Sequence, residues 1–206
     1  MPKKKPLLYP VVFMVLITAF FTFLLAFINE STIDEIERQE DLRLQRSILY
    51  VFDIPYDETN DNEVTYTYQA NITTESRQGR TLYIYEKDDT IKGYAFEFSG
   101  SGLWGTITGH LALAPSFDEL LGVNFIAHSE TPGLGGRIDE LVYKDQFRGI
   151  VPNATSEAIV YRPADGGNVD AITGATLTSK SVKNMINVFI PEINAFAREE
   201  GLYERN

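Results

Sequence analysis

The stretch Thr81–Phe98, "TLYIYEKDDTIKGYAFEF", sets the architecture of the folded part of this chain. Two runs rich in β-branched and aromatic residues, "TLYIY" and "GYAFEF", alternate in polarity and flank the turn-forming "EKDDTIK", the pattern of two antiparallel strands. "VTYTY" (Val64–Tyr68) reads as a further strand upstream, and "GTITGHLALA" and "LLGVNFIAHS", separated by the turn-like "PSFDE", as two more downstream. An antiparallel sheet is the economical arrangement. Near the C-terminus Val182, Met185, Ile186, Phe189, Ile190, Ile193, Phe196 and Ala197 recur at helical spacing, which predicts a helix lying on that sheet, with Pro191 as a point of bending. The predicted class is therefore α+β.

Upstream of the sheet the composition changes twice. "MPKKKP" precedes 22 residues, Leu7–Ile28, without a charge, long enough to cross a bilayer. A cleaved signal peptide is the rival, but the run exceeds the usual apolar region and no small-residue cleavage site closes it. With Lys3, Lys4 and Lys5 before the span and "NESTIDEIE" after it, the positive-inside bias predicts a cytoplasmic N-terminus and an extracytoplasmic remainder. Ser31–Phe52 reads as a helical stalk. The acidic, turn-forming "DIPYDETNDNE" marks an entrance to the domain near residue 60. The expected divisions are 1–28 (cytoplasmic N-terminus and anchor), 29–60 (stalk and linker) and 61–206 (domain).

The formal net charge is −11, and becomes −14 once the three lysines of the first 28 residues are removed. Such an acidic exterior repels phosphates and argues against a nucleic-acid partner. There is no cysteine and there are two histidines, His110 and His128. Disulfides, thiolate metal sites and protein-ligated iron–sulfur clusters are excluded for this chain, and a metal centre is not expected. Redox chemistry here needs an organic cofactor. Asn71–Thr73 and Asn153–Thr155 match the short glycosylation pattern, which arises readily by chance.

Three stretches could carry chemistry. "SETPGLGGR" (Ser129–Arg137) is a sharp loop whose glycines allow close approach of a flat ligand or another chain, or simply a tight turn; it lacks the P-loop and dinucleotide spacings. "GSGLWGTITG" (Gly100–Gly109) holds the single Trp, Trp104, which could wall a planar cofactor or fill the core. "DAITGATLTS" (Asp170–Ser179) places the hydroxyls of Thr173, Thr176, Thr178 and Ser179 before the C-terminal helix, where they could cap it or bind phosphate. His128 stands beside the glycine loop and reads as structural more readily than as a ligand contact.

In this order, behind one N-terminal span, "GLWGTITG", "HSETPGLGGRI" and "DAITGATLTS" resemble the FMN-binding domain of the C subunit of the sodium-translocating NADH:quinone oxidoreductase and of the G subunit of the Rnf ferredoxin:NAD oxidoreductase. The pattern Asp-x-x-Ser/Thr-Gly-Ala-Thr is met by Asp170, Thr173, Gly174, Ala175 and Thr176. The resemblance implies FMN joined covalently to Thr176 by a phosphoester, and Asp170 as the recognition residue for a separate flavin transferase that uses FAD. It implies flavin contacts from Glu130, Thr131, Gly133, Leu134 and Gly135, and from Trp104. Thr178 stands among the cofactor-binding candidates, and no side chain is expected to be catalytic.

The implied role is an electron relay in a redox-driven ion-translocating complex of the inner membrane, sodium transport included, with other subunits as partners and no activity in isolation. The ring does the redox chemistry. A free-standing anchored flavin reductase and a non-redox binding module are the other classes considered. The "GLW" form leans toward the C subunit, whereas the short chain suits the G subunit.

Overall fold

In the computed structural model, residues 8–152 and 157–205 are described. Lys3–Lys5 and Asn153–Thr155 fall outside them. The chain forms two compact units, one up to Asp41 and one from Leu42 onward.

The first unit is the greater part of helix α1, Leu8–Val51. By length and composition α1 is able to cross a membrane, as a single-pass anchor would; its side chains from Leu8 to Ile28 are exposed.

The second unit is a five-stranded antiparallel meander in the order β1 (Ile72–Arg77), β2 (Arg80–Lys87), β3 (Thr90–Ser101), β4 (Thr106–Leu113), β5 (Leu120–Ala127). Strand periodicity divides the sheet cleanly. Leu82, Ile84, Tyr94, Phe96, Phe98, Ile107 and Leu111 point to one face, where Val182, Ile186, Phe189, Ile190 and Ile193 of helix α4 (Thr176–Glu199) pack against them. Pro191 lies inside α4. Tyr83, Ala95 and Ala112 point to the other face and meet Ile48, Leu49 and Val51 at the end of α1. The stalk expectation therefore covers only part of the segment. Leu42, Ile48, Leu49, Val51 and Phe52 of that segment are core residues, and the second unit begins at Leu42.

One strand expectation fails. "VTYTY" lies within helix α2, Asp61–Asn71. Asn60 caps it by accepting the N–H of Glu63, and Asp61 and Glu63 stand in the first turn, where carboxylates suit the helix dipole. Val64 and Tyr68, four residues apart, both belong to the α1-side cluster, so helical burial overrides the β propensity of these residues.

After β5 come a 3-10 turn (Gly135–Asp139) and the short helix α3 (Leu141–Lys144). The 3-10 turn begins within the glycine loop, and α3 follows it toward the segment leading to α4.

Candidate functional site

The start of α4 is built without a side-chain cap. Its N-cap residue is Ala175, and no side chain accepts from the first turn, so the leading amides keep the unpaired state that draws anions. Gly174 takes φ +82, a conformation open to glycine at little cost, and turns the chain into the helix. Thr176 follows with its side chain exposed, as are Thr173 and Gly174.

The other two hydroxyls have different occupations. Ser179 is buried and its Oγ accepts the N–H of Ile172 at 3.0 Å, tying the turn down. Thr178 is buried and donates to Glu130 Oε2 at 2.5 Å. Neither acts as a cap, and the Thr178 proton is already committed to a carboxylate. The periodicity explains this: Thr178, Val182, Ile186, Phe189 and Ile193 form one buried stripe, whereas Thr176 and Leu177 lie off it.

Glu130 brings the three stretches together. Its Oε1 accepts the backbone N–H of Leu103 at 2.7 Å and of Trp104 at 3.1 Å, while Oε2 takes Thr178. Burial pushes this carboxyl up, but the hydrogen bonds from Thr178, Trp104 and Leu103, with the nearby His128, outweigh it and the net direction is down. His128 serves the loop: Nδ1 accepts the Glu130 N–H at 3.2 Å and Nε2 pairs with Asp139 at 2.9 Å.

Gly135 is buried against the pair. A Cβ there would lie 2.5 Å from Thr178 Oγ1 and 2.6 Å from Glu130 Oε2. A Cβ on Gly174 would lie 3.3 Å from Leu134 Cδ2, so the glycine loop borders the turn before α4. Gly133, at φ +74, and the exposed Thr131 shape that loop; the Thr131 carbonyl accepts the N–H of Leu134 and of Gly136.

Around this centre Trp104 is 67% exposed, Leu177 59%, and Leu103 and Leu134 46% each. Trp104 is thus no core residue. Four exposed apolar side chains on the segments that Glu130 and Gly174 bring to an uncapped helix start suit a flat apolar ring carrying a phosphate. Leu103 and Leu177 were not singled out from sequence, although Leu177 is visible as an apolar residue off the stripe of its helix.

Asp170 lies apart from Glu130. Its carboxylate pairs with Arg162 at 3.1 Å and its N–H donates to Gln146 at 2.7 Å. It lines a cleft of about 390 Å³ with Arg137, Tyr143, Gln146, Arg162 and Thr173. Among the described residues no group of three acidic or histidine side chains is arranged to hold a metal.

Residues 102–190 match the family described as FMN-binding domain. The G subunit of the ion-translocating oxidoreductase complex of Shewanella baltica is 32% identical over 90% of this chain and 91% of its own length; that of Shewanella piezotolerans is 32% identical over 81% and 80%. The C subunit of the Na(+)-translocating NADH-quinone reductase of Pseudomonas aeruginosa is 32% identical over 53% of this chain, which spans about half (46%) of that relative. In structure the chain is similar to Shewanella oneidensis NqrC, with TM-score 0.63, 19% identity and coverage of 74% of this chain and 91% of the other. The corresponding protein of Parabacteroides distasonis gives TM-score 0.63 at 23% identity, covering 73% and 89%.

Proposed function

The chain belongs to the family of FMN-binding subunits of ion-translocating redox complexes, and on that footing we propose that it is an anchored electron carrier whose FMN is joined to Thr176 by a phosphoester. One observation carries the residue assignment: Thr176 presents its hydroxyl at the uncapped start of α4, one residue beyond the Gly174-Ala175 turn and beside the exposed rim of Leu103, Trp104, Leu134 and Leu177.

The bound flavin supplies the electron chemistry; the chain supplies the seat. The free amides of the first turn and the positive end of the α4 dipole would stabilise a phosphate on Thr176. Gly174 keeps that approach clear, and the exposed apolar side chains cover a ring and exclude water from it. An aliphatic hydroxyl needs activation, and no base stands in hydrogen-bond contact with Thr176 among the described residues. A separate transferase is therefore the route: a base of that enzyme takes the Thr176 hydroxyl proton, the Oγ–P bond forms, the pyrophosphate bond of FAD breaks, and AMP leaves. Exposed Asp170, paired with Arg162 at the surface, is accessible to such an enzyme.

The match to a G subunit over nine-tenths of both chains, against about half of a C subunit, favours a G-type place in the assembly. That leaves the lean toward the C subunit without support from chain coverage; the extracytoplasmic side for the domain is supported by Lys3, Lys4 and Lys5 ahead of the apolar span. Ion translocation, of sodium or another cation, belongs to the assembled complex.

The test is co-expression with the flavin transferase. The wild-type chain should fluoresce on a denaturing gel and gain the mass of one phosphoester-linked FMN on a peptide containing Thr176. Thr176→Val should show neither, and persistent fluorescence in that variant would falsify the assignment.

A further inference from the structure

We infer that Glu130 is a positioning residue, a buried latch that holds the Leu103–Trp104 turn and the first turn of α4 in place without facing the flavin itself. The inference rests on the carrier reading of the same site.

Glu130 is 5% exposed, so its carboxylate persists only if hydrogen bonds replace hydration. It receives three, from two turn amides and one hydroxyl, contributed by segments 26 or 27 residues before it and 48 after it. The donors come from two sides of the seat. The Leu103 and Trp104 amides fix the backbone that carries two rim side chains. Thr178 fixes the helix turn that carries Thr176 and Leu177. No Lys or Arg forms an ion pair with Glu130 among the described residues, so its negative charge is balanced by the three donors and the nearby His128 and remains beneath the seat.

The groups facing Glu130 are few. The turn between β3 and β4 offers backbone amides, α4 offers the Thr178 hydroxyl, and its own loop offers His128, which is itself held by Asp139. Burial raises the Glu130 carboxyl, the three donors lower it further than that, and the latch is therefore ionised and closed at neutral pH. It opens as pH falls below the ordinary carboxylate range.

Trp104 is the single tryptophan and its own amide is one of the latch bonds, so its fluorescence reports the latch directly. The experiment uses the full chain in detergent, made without the transferase. In the wild type, acidification should change Trp104 emission and quencher access in one step, and the Leu103 and Trp104 amides should exchange slowly at neutral pH. Glu130→Gln should abolish the acid step and speed exchange at both amides at least tenfold. Thr178→Val, which cuts only the helix arm, should leave those two amides close to wild type.

In chains carrying flavin, Glu130→Gln should also shift the midpoint potential upward, because a buried charge that opposes electron addition is gone. Unchanged exchange and quenching in Glu130→Gln, or loss of Trp104-amide protection in Thr178→Val equal to that in Glu130→Gln, overturns the latch. Failure of the wild-type chain to carry flavin overturns the carrier reading but leaves the tryptophan measurements standing.

Discussion

Arg148 lays its guanidinium 4.7 Å from the centre of the Tyr50 ring and donates to the Tyr50 carbonyl at 2.6 Å. It also donates to the carbonyls of Leu121 at 2.8 Å and Val51 at 3.4 Å. Helix ends leave their last carbonyls without helical partners, and a guanidinium fork satisfies several at once. Arg148→Met should therefore destabilise the second unit by about 2 kcal/mol and release the Leu42–Val51 amides to faster exchange. Arg148→Lys should not restore them, because a point ammonium cannot serve both carbonyls and stack on the ring.

Acid should weaken the same layer through His110. Its Nδ1 shares a hydrogen bond with Ser47 Oγ at 2.8 Å, Asn124 donates to that oxygen at 2.9 Å, and Nε2 is buried without a partner. Burial lowers this histidine from 6.5 to about 4. The unfolded chain then binds its proton first, so His110 costs stability as pH falls from the unfolded value toward the folded one, and its contribution is level above and below that window. The full effect is roughly 3 kcal/mol. Denaturant unfolding from pH 7 to 4 should show a steeper loss in the wild type than in His110→Gln. Equal slopes would refute the assignment.

Gly135→Ala tests close approach at the seat. The added Cβ meets Thr178 and Glu130 within 2.6 Å, and overpacking of this kind costs roughly 1–3 kcal/mol. Covalent flavin should fall several-fold on co-expression with the transferase, while circular dichroism still shows a folded domain. Normal loading would mean that the loop gives way easily.

Asp170 should behave in the opposite manner. Its pair with Arg162 is exposed on both sides, and such pairs contribute about 1 kcal/mol or less. Asp170→Asn should leave the melting temperature nearly unchanged yet slow flavin transfer, whereas Arg162→Gln should leave transfer intact. A transfer rate unaffected by Asp170→Asn would remove it from transferase recognition.

The legible parts of the sequence were those governed by one periodicity at a time. Leu82, Ile84, Phe96 and Phe98 announce strands that the structure contains, and Val182 through Ile193 announce α4. "VTYTY" misleads because its residues favour strands while the Asn60 cap and the i, i+4 burial of Val64 and Tyr68 favour a helix. The covering of the second sheet face by the end of α1 was hidden too, since its polar members Ser47 and His110 lie 63 residues apart. At the site, glycines, hydroxyls and the tryptophan stood out individually. Their convergence on Glu130 did not, because a buried carboxylate in a polar loop looks like any solvated one until its three distant donors are in place.

The strands of the sheet follow one another in sequence order, a topology of local contacts that favours fast folding. The arm that closes over Glu130 belongs to α4, the last long helix in the chain. The turn presenting Thr176 is thus shaped from outside its own sequence: its Thr178 arm ends on the Glu130 of the glycine loop, which also holds the turn between β3 and β4. The ten-residue motif alone, without the loop 48 residues before Thr178, does not carry the buried contact that fixes its geometry.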